Sequence, residues 1–172
     1  MAAVQPLPRR RRHPLDVRAA GALLLLYGQF VTRIVCLTTA DLRHDGHDTY
    51  LHAGAAPVLL PPKVAAVICA QRDAGPARIT YRHPSQEARP LFPGRRHGQH
   101  LGAEALTRRL RQHGIEPRQA RNQALVTWAA ELPAPVLADI LGLHVTTAEQ
   151  WAQRARRDWT SYIAERAGDM RA

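Results

Sequence analysis

The amino-acid sequence predicts a mainly α-helical domain with a small β-hairpin. Most of the chain after residue 14 has apolar residues at helical spacing, in segments that end at glycine or proline. One short region, between residues 50 and 60, has the composition of two paired strands. The 172 residues suffice for one domain with a core but not for two large domains. We therefore predict a disordered basic arm at residues 1–14, a single domain at 15–167 and a tail at 168–172.

The first predicted helix is strongly apolar. Residues 15–26, LDVRAAGALLLL, have an apolar face too broad for a surface helix, which predicts a central buried helix. Gly28 ends this helix, and residues 30–37 are expected to form a second, short helix. We expect residues 38–48 to be a loop.

The predicted hairpin pairs residues 50–52 with residues 57–60. Pro61 and Pro62 then break the strand and begin a helix at residues 63–72, because proline is favoured in the first turn of a helix.

The second half of the chain is predicted to be helical after a further short strand at 78–81 and an ordered loop at 83–100. Gly114 and Gly142 stop two of the helices. The predicted helices are residues 102–113, 117–132, 134–141 and 146–166.

The charge of the chain is strongly unbalanced. Lys and Arg number 24 against 14 Asp and Glu, which gives a formal net charge of +10. A surface of this sign attracts phosphate groups, so nucleic acid is the first partner to consider and an anionic membrane surface the second. We expect double-stranded DNA as the partner.

The N-terminus imitates parts of a secretory signal, since arginines at 9–12 precede an apolar run at 19–27. Asp16 and Arg18 at the start of that run, and the lack of a small-residue cleavage site after it, favour a protein that stays in the cytoplasm with the nucleoid. No stretch approaches the roughly 20 apolar residues of a membrane span.

Residues 134–155 have the spacing of a helix-turn-helix unit. Small Ala138 stands where two helices touch, Gly142 where the turn needs a positive φ, and apolar Ala148 and Trp151 follow on the second helix. An αα-hairpin with an ordinary core explains the same pattern, so both interpretations remain open. Leu137, Leu141 and Leu143 complete the inward set. The side chains left toward solvent, and toward a major groove in a DNA complex, are His144, Thr146, Thr147, Glu149, Gln150 and Arg154.

The order of several segments carries a family resemblance. These segments are 27–37 (YGQFVTRIVCL), an acidic-ended turn at 38–42, the hairpin, Leu91-Phe92-Pro93, residues 118–125 and Leu141-Gly142. They resemble the catalytic domain of the tyrosine recombinases, or phage-type integrases, over roughly residues 15–165. The resemblance implies the DNA breaking-rejoining fold, truncated because the family's N-terminal clamp domain is missing.

The catalytic residues implied by the resemblance are mostly absent. The family uses arginines, a lysine and histidine-like groups to stabilise a pentacoordinate phosphate while a tyrosine attacks it. Phe30, Leu143 and Trp151 stand where the first arginine, a histidine and the nucleophile are expected. Loss of one such donor typically costs roughly 10²–10³ in rate. We therefore expect no enzyme activity.

Three residues remain as catalytic candidates. Arg121 matches the second arginine of the family, although Arg118 and Asn122 replace the histidines beside it. A structural ion pair explains Arg121 equally well. His144 lies one residue late, and Tyr162 lies too far along the chain.

The sequence thus predicts a non-catalytic DNA-binding protein, a regulator or accessory factor derived from an integrase. The alternatives are an active recombinase with displaced catalytic residues, and a remnant or interaction module without a specific DNA site. The predicted DNA-binding residues are Arg118, Arg121, His144, Thr146, Thr147, Gln150, Arg154 and Arg157.

Two H-x-x-H pairs, His44 with His47 and His97 with His100, lie in segments rich in glycine and arginine. Such loops seldom bring a third metal ligand into place. We expect no metal site and no cofactor.

Overall fold

The computed structural model describes residues 13–54, 56–74, 88–96 and 98–169, with side chains described as far as residue 157. The described part of the chain is mainly helical, with one small antiparallel sheet. None of its helices is both long and apolar enough to cross a membrane. Its elements are α1 (Leu15–Tyr27), α2 (Val31–Cys36), β1 (Leu42–Asp45), β2 (Asp48–Leu51), β3 (Val58–Leu59), α3 (Pro62–Asp73), α4 (Ala103–Gln112), α5 (Pro117–Glu131), α6 (Ala134–Leu141) and α7 (Val145–Asp169).

Helix α1 is the centre of the fold, as predicted from its apolar pattern. It packs against α2, α3, α4 and α5, so its side chains are buried around most of its circumference. Gly28 ends it with φ 57°, a left-handed conformation that glycine adopts without steric cost. The buried hydrophobic residues of α1 are Val17, Ala19, Ala20, Leu23, Leu24 and Tyr27.

The sheet has three strands in the order β1-β2-β3. The predicted pairing of residues 50–52 with 57–60 is confirmed, since Tyr50 lies opposite Leu59 and Leu51 opposite Val58.

The prediction of a loop at 38–48 is wrong. This segment contains a 3-10 turn at Thr39–Asp41, strand β1 and the start of β2. The signal for the missed hairpin is Gly46 followed by His47, because Gly46 takes φ 59° at the first central position of the two-residue turn. Hairpin turns of this length need such a positive φ.

Part of the segment between α3 and α4 lies in the core. Leu91 and Phe92 are each 1% exposed. The backbone N–H of Leu91 donates to the carbonyl of Leu37 over 2.7 Å, and the buried Gln71 side chain donates to the carbonyl of Leu91 over 3.1 Å. The ordered loop is confirmed over residues 88–96 and 98–100. The predicted strand at 78–81, the arm up to residue 12 and the tail at 170–172 lie outside the described residues.

The four helices predicted for the second half are all present, with ends shifted by a few residues. Helix α7 packs against α5 and α6, and α5 packs against α1. An ion pair between Arg109 of α4 and Asp16 of α1, at 2.5 Å, joins this half to the central helix.

Removing a core side chain from the α1–α5 contact should destabilise the whole domain. Leu125 is 0% exposed, and we expect Leu125→Ala to lower the free energy of unfolding by about 2–5 kcal/mol, because the cavity it leaves cannot fully collapse. Leu25, which is 49% exposed on α1, is the matched control, and Leu25→Ala should change stability by about 0.5 kcal/mol or less. Urea unfolding followed by circular dichroism measures both. Similar losses in the two variants would contradict this account of the core.

Candidate nucleic-acid interface

A groove lined by arginines lies between α2, α4, α5 and α7. Its cavity has a volume of about 1010 Å³. A smaller cavity of about 510 Å³ shares Arg118, Asn122, Trp151 and Arg154 with it, so the groove continues along the contact between α5 and α7. Glu104 is the acidic residue in the lining of the larger cavity. We call this surface the basic groove; the arginines that line it are Arg108, Arg111, Arg118, Arg121 and Arg154.

Helix geometry explains why these side chains meet. Arg108 and Arg111 are three residues apart on α4, and Arg118 and Arg121 have the same spacing on α5. Residues at this spacing share one face of a helix. Trp151 and Arg154 repeat the spacing on α7. Three helices therefore each present a pair of side chains to the same groove.

Arg121 is held by an aromatic ring. Its guanidinium carbon lies 3.6 Å from the centre of the Phe30 ring, a cation–π contact. Among the described residues no carboxylate forms an ion pair with Arg121, so the structural ion pair considered from the sequence is not found there. The Nε atom of Arg121 is buried without a hydrogen-bond partner in the described part of the chain.

Burial lowers the pKa of Arg121 from its ordinary value, and the nearby positive charge of Arg33 lowers it further. Arginine stays protonated in proteins even so. The guanidinium is thus a partly desolvated cation beside a second cation. An anion bound in the groove would replace the lost hydration of Arg121 and reduce its repulsion with Arg33.

The turn between α1 and α2 brings Phe30 to this place. A side chain at Gly28 would lie 3.1 Å from Leu125 and 3.5 Å from the carbonyl of Arg121, so glycine allows α5 to approach the turn closely. Phe30 is the N-cap residue of α2, and its carbonyl accepts the backbone N–H groups of Arg33 and Ile34, each over 2.9 Å. Phe30 therefore sits on a rigid element.

Arg33 contacts the C-terminal end of α6. Its Nη1 atom donates to the carbonyl of Leu141 over 3.3 Å. Gly142 follows with φ 61°, as the sequence predicted for the turn. The β2–β3 loop packs on the same helix end, where a side chain at Gly54 would lie 2.7 Å from the carbonyl of Asp139. A cation at a helix C-terminus also compensates the helix dipole.

The inward positions predicted for residues 134–155 agree with burial in part. Leu137, Ala138, Leu141 and Ala148 are buried, whereas Trp151 is half-buried and lines the basic groove. The polar positions predicted to face solvent are exposed, except for the half-buried Thr147; the exposed residues are His144, Thr146, Glu149, Gln150 and Arg154. Contact of this surface with DNA stays a prediction.

His144 occupies the start of α7 and is not among the residues that line the groove. Its Nδ1 atom lies 2.8 Å from the Thr146 hydroxyl and 3.4 Å from the Thr146 backbone nitrogen. With both groups donating, Nδ1 acts as the acceptor that caps the helix. The Tyr162 side chain lies outside the described residues. The structure brings Arg121 together with Phe30 and Trp151 at the groove, and His144 does not line it.

Of the eight predicted DNA-binding residues, Arg118, Arg121 and Arg154 line the basic groove. Arg157 is exposed further along α7. The sequence prediction missed Arg108 and Arg111. Their signal was available, because α4 buries Leu106 and Leu110 and thus turns its arginines to the opposite side.

His44 of the first H-x-x-H pair lies on β1, and His47 lies in the turn between β1 and β2. His44 Nε2 accepts from Arg72 Nη1 over 2.9 Å, and Nδ1 lies 3.1 Å from the Thr49 hydroxyl. Among the described residues, no three His, Cys, Asp or Glu side chains form a group that could hold a metal ion.

The helical fold with its three-stranded antiparallel sheet resembles the catalytic domain of the tyrosine recombinases, which confirms the predicted fold class. The structure is similar to the crystal structure of XerA recombinase, with a TM-score of 0.57 and 14% sequence identity. The match covers 92% of this chain and 66% of the XerA chain, just under two thirds of that protein. At this identity the likeness shows the fold. No protein-family model and no curated protein sequence matches the chain.

The contact between Arg33 and the end of α6 can be tested with two glycines of similar φ. Gly114 has φ 78° and open space around it, so Gly114→Ala should cost about 1–2 kcal/mol from the backbone conformation alone. In Gly142→Ala the new Cβ would also collide with Arg33 Nη1 and displace it from Leu141, which should add about 1 kcal/mol.

Thermal and urea unfolding measure these costs. In an Arg33→Ala background the extra cost of Gly142→Ala over Gly114→Ala should fall by about 1 kcal/mol, because the collision with Arg33 is gone and the 3.3 Å contact with the Gly54 Cα remains. A Gly142→Ala cost that is unchanged by Arg33→Ala would show that Arg33 does not hold the helix end.

Proposed function

We propose that this chain is a non-catalytic DNA-binding protein, a regulator or accessory factor, that holds the phosphate backbone of DNA in the basic groove. The observation that supports this most is the convergence of five arginines from α4, α5 and α7 on one groove whose larger cavity contains a single glutamate. A different cavity of about 910 Å³ offers a comparison, since Glu131 and Glu149 line it together with Arg156. Among these cavities, the basic groove thus has the larger excess of arginine over acidic residues.

The chemistry of arginine fits this role. Its planar guanidinium donates two parallel hydrogen bonds to a phosphate, and a row of such groups releases the counterions condensed on DNA. The formal net charge of +10 adds a long-range attraction to the same ligand. The recombinase-like fold is consistent with a DNA partner.

The absence of catalysis is proposed from the residues around Arg121. Under the family resemblance, Phe30, Arg121 and Trp151 stand for the first arginine, the second arginine and the nucleophile, and all three line the basic groove. Phe30 supplies a ring where a second charge is expected, and the indole of Trp151 has no nucleophilic oxygen. Transition-state charge at that position would lack the paired donors that strand transfer requires.

Binding to DNA should be strongly dependent on salt and on the groove arginines. If about six phosphates are neutralised, affinity should fall by roughly 10³ between about 50 and 200 mM salt. Arg118→Ala combined with Arg154→Ala should weaken binding to duplex DNA and reduce the slope of log K against log salt by about 1.8. Fluorescence anisotropy with a labelled duplex measures both quantities.

The matched control is Arg18→Ala combined with Arg43→Ala. These arginines are exposed on α1 and β1, away from the groove lining, and their removal changes the net charge equally. Equal losses of DNA affinity in the two double variants would show that binding depends on the net charge and not on the groove arginines. Failure of the parent protein to bind DNA at about 50 mM salt would refute the proposal.

The protein should form no covalent adduct with DNA. Incubation with nicked duplex substrates, followed by denaturing gel electrophoresis, should leave the protein unmodified, because Trp151 cannot attack phosphate. Tyr162 is the tyrosine that follows the groove residues in the sequence, and the Tyr162→Phe variant tests whether it attacks DNA. An adduct that forms with the parent and disappears in Tyr162→Phe would identify an active recombinase with a displaced nucleophile.

A further inference from the structure

Phe30 is an exposed aromatic residue inside a charged groove. It is 47% exposed although one face of its ring is covered by the Arg121 guanidinium at 3.6 Å. Phosphate binding alone makes no use of an exposed ring, because phosphate oxygens are satisfied by charged hydrogen-bond donors. Binding of the DNA phosphate backbone therefore does not explain why part of the Phe30 ring is exposed in the groove.

A second aromatic–arginine pair lines the same groove. Arg154 has its guanidinium carbon 5.6 Å from the centre of the Trp151 ring, within the range of a cation–π contact. Phe30 with Arg121 lies on the α2 and α5 side, and Trp151 with Arg154 lies on α7. Grooves that bind unpaired nucleic acid combine these two elements, since cations follow the backbone while aromatic rings stack on bases.

The size of the groove suits such a ligand. Its volume of about 1010 Å³ is at the upper end of the roughly 300–1,000 Å³ typical of ligand pockets. The half-buried Val31 also lines it and adds apolar surface that a base can contact.

We propose that the basic groove binds an unpaired DNA base, which stacks on the open surface of Phe30 while the neighbouring phosphates contact the groove arginines. This proposal rests on the proposed function, because it assumes that DNA lies in the groove. Taking a base out of a paired duplex costs a few kcal/mol. DNA that already contains unpaired bases therefore binds more tightly than fully paired DNA of the same length.

The test compares a fully paired duplex with the same duplex carrying a short central bubble of unpaired bases. The parent protein should bind the bubble more tightly. Phe30→Ala should weaken binding to the bubble by roughly 5- to 150-fold, the range expected for loss of one stacked base, with little change for the paired duplex. Phe30→Leu keeps an apolar side chain without the ring and should also lose the preference. Leu25→Ala, at an equally exposed apolar site outside the groove lining, should keep it.

A fluorescent adenine analogue placed in the bubble gives a second readout. Its emission on binding should differ between the parent and Phe30→Leu, because only the parent offers a ring on which the base stacks. Circular dichroism confirms that each variant is folded.

The outcomes separate the two proposals. No binding to either DNA refutes the proposed function and this inference with it. Equal binding of bubble and duplex by the parent refutes this inference alone. An equal loss for both DNAs in Phe30→Ala also refutes it, because that result would mean that Phe30 only supports Arg121.

Discussion

Burial of α1 is the constraint on which the rest of the structure depends. The helix is apolar around most of its circumference, so it is stable only when other elements surround it. Helices α2, α3, α4 and α5 provide that cover, since each of them packs against α1. The arginines of α4 and α5 face one another across the basic groove because both helices pack on the same buried helix.

The basic groove is a costly arrangement electrostatically. Burial and the charge of Arg33 both lower the pKa of Arg121. In the folded protein these positive charges are therefore closer together and less hydrated than in the unfolded chain. The Phe30 ring offsets part of this through its contact with the Arg121 guanidinium. Glu116, in a 3.1 Å ion pair with Arg111, offsets another part. An anionic ligand would relieve the remaining repulsion between the arginines. Arrangements that cost stability in this way are expected at functional sites.

The same groove depends on how α6 and α7 are joined. Arg33 donates a hydrogen bond to the carbonyl of Leu141 at the end of α6. Gly142 provides the turn, and Gly54 lets the β2–β3 loop approach it. These contacts fix the start of α7, which carries Trp151 and Arg154 to the groove. Arg33 therefore has a structural role at the end of α6.

The sequence by itself determined the helices, their order and the fold class, because periodic apolar residues and the glycine and proline stops act locally. It also predicted Arg118, Arg121 and Arg154, which line the basic groove, whereas it did not predict the hairpin of β1 and β2, whose turn depends on Gly46. Only the tertiary structure decided that Phe30 lies on Arg121 and that α4 adds its arginines. Those contacts join residues far apart in the chain, and their geometry depends on how closely helices pack around α1, which no local pattern encodes.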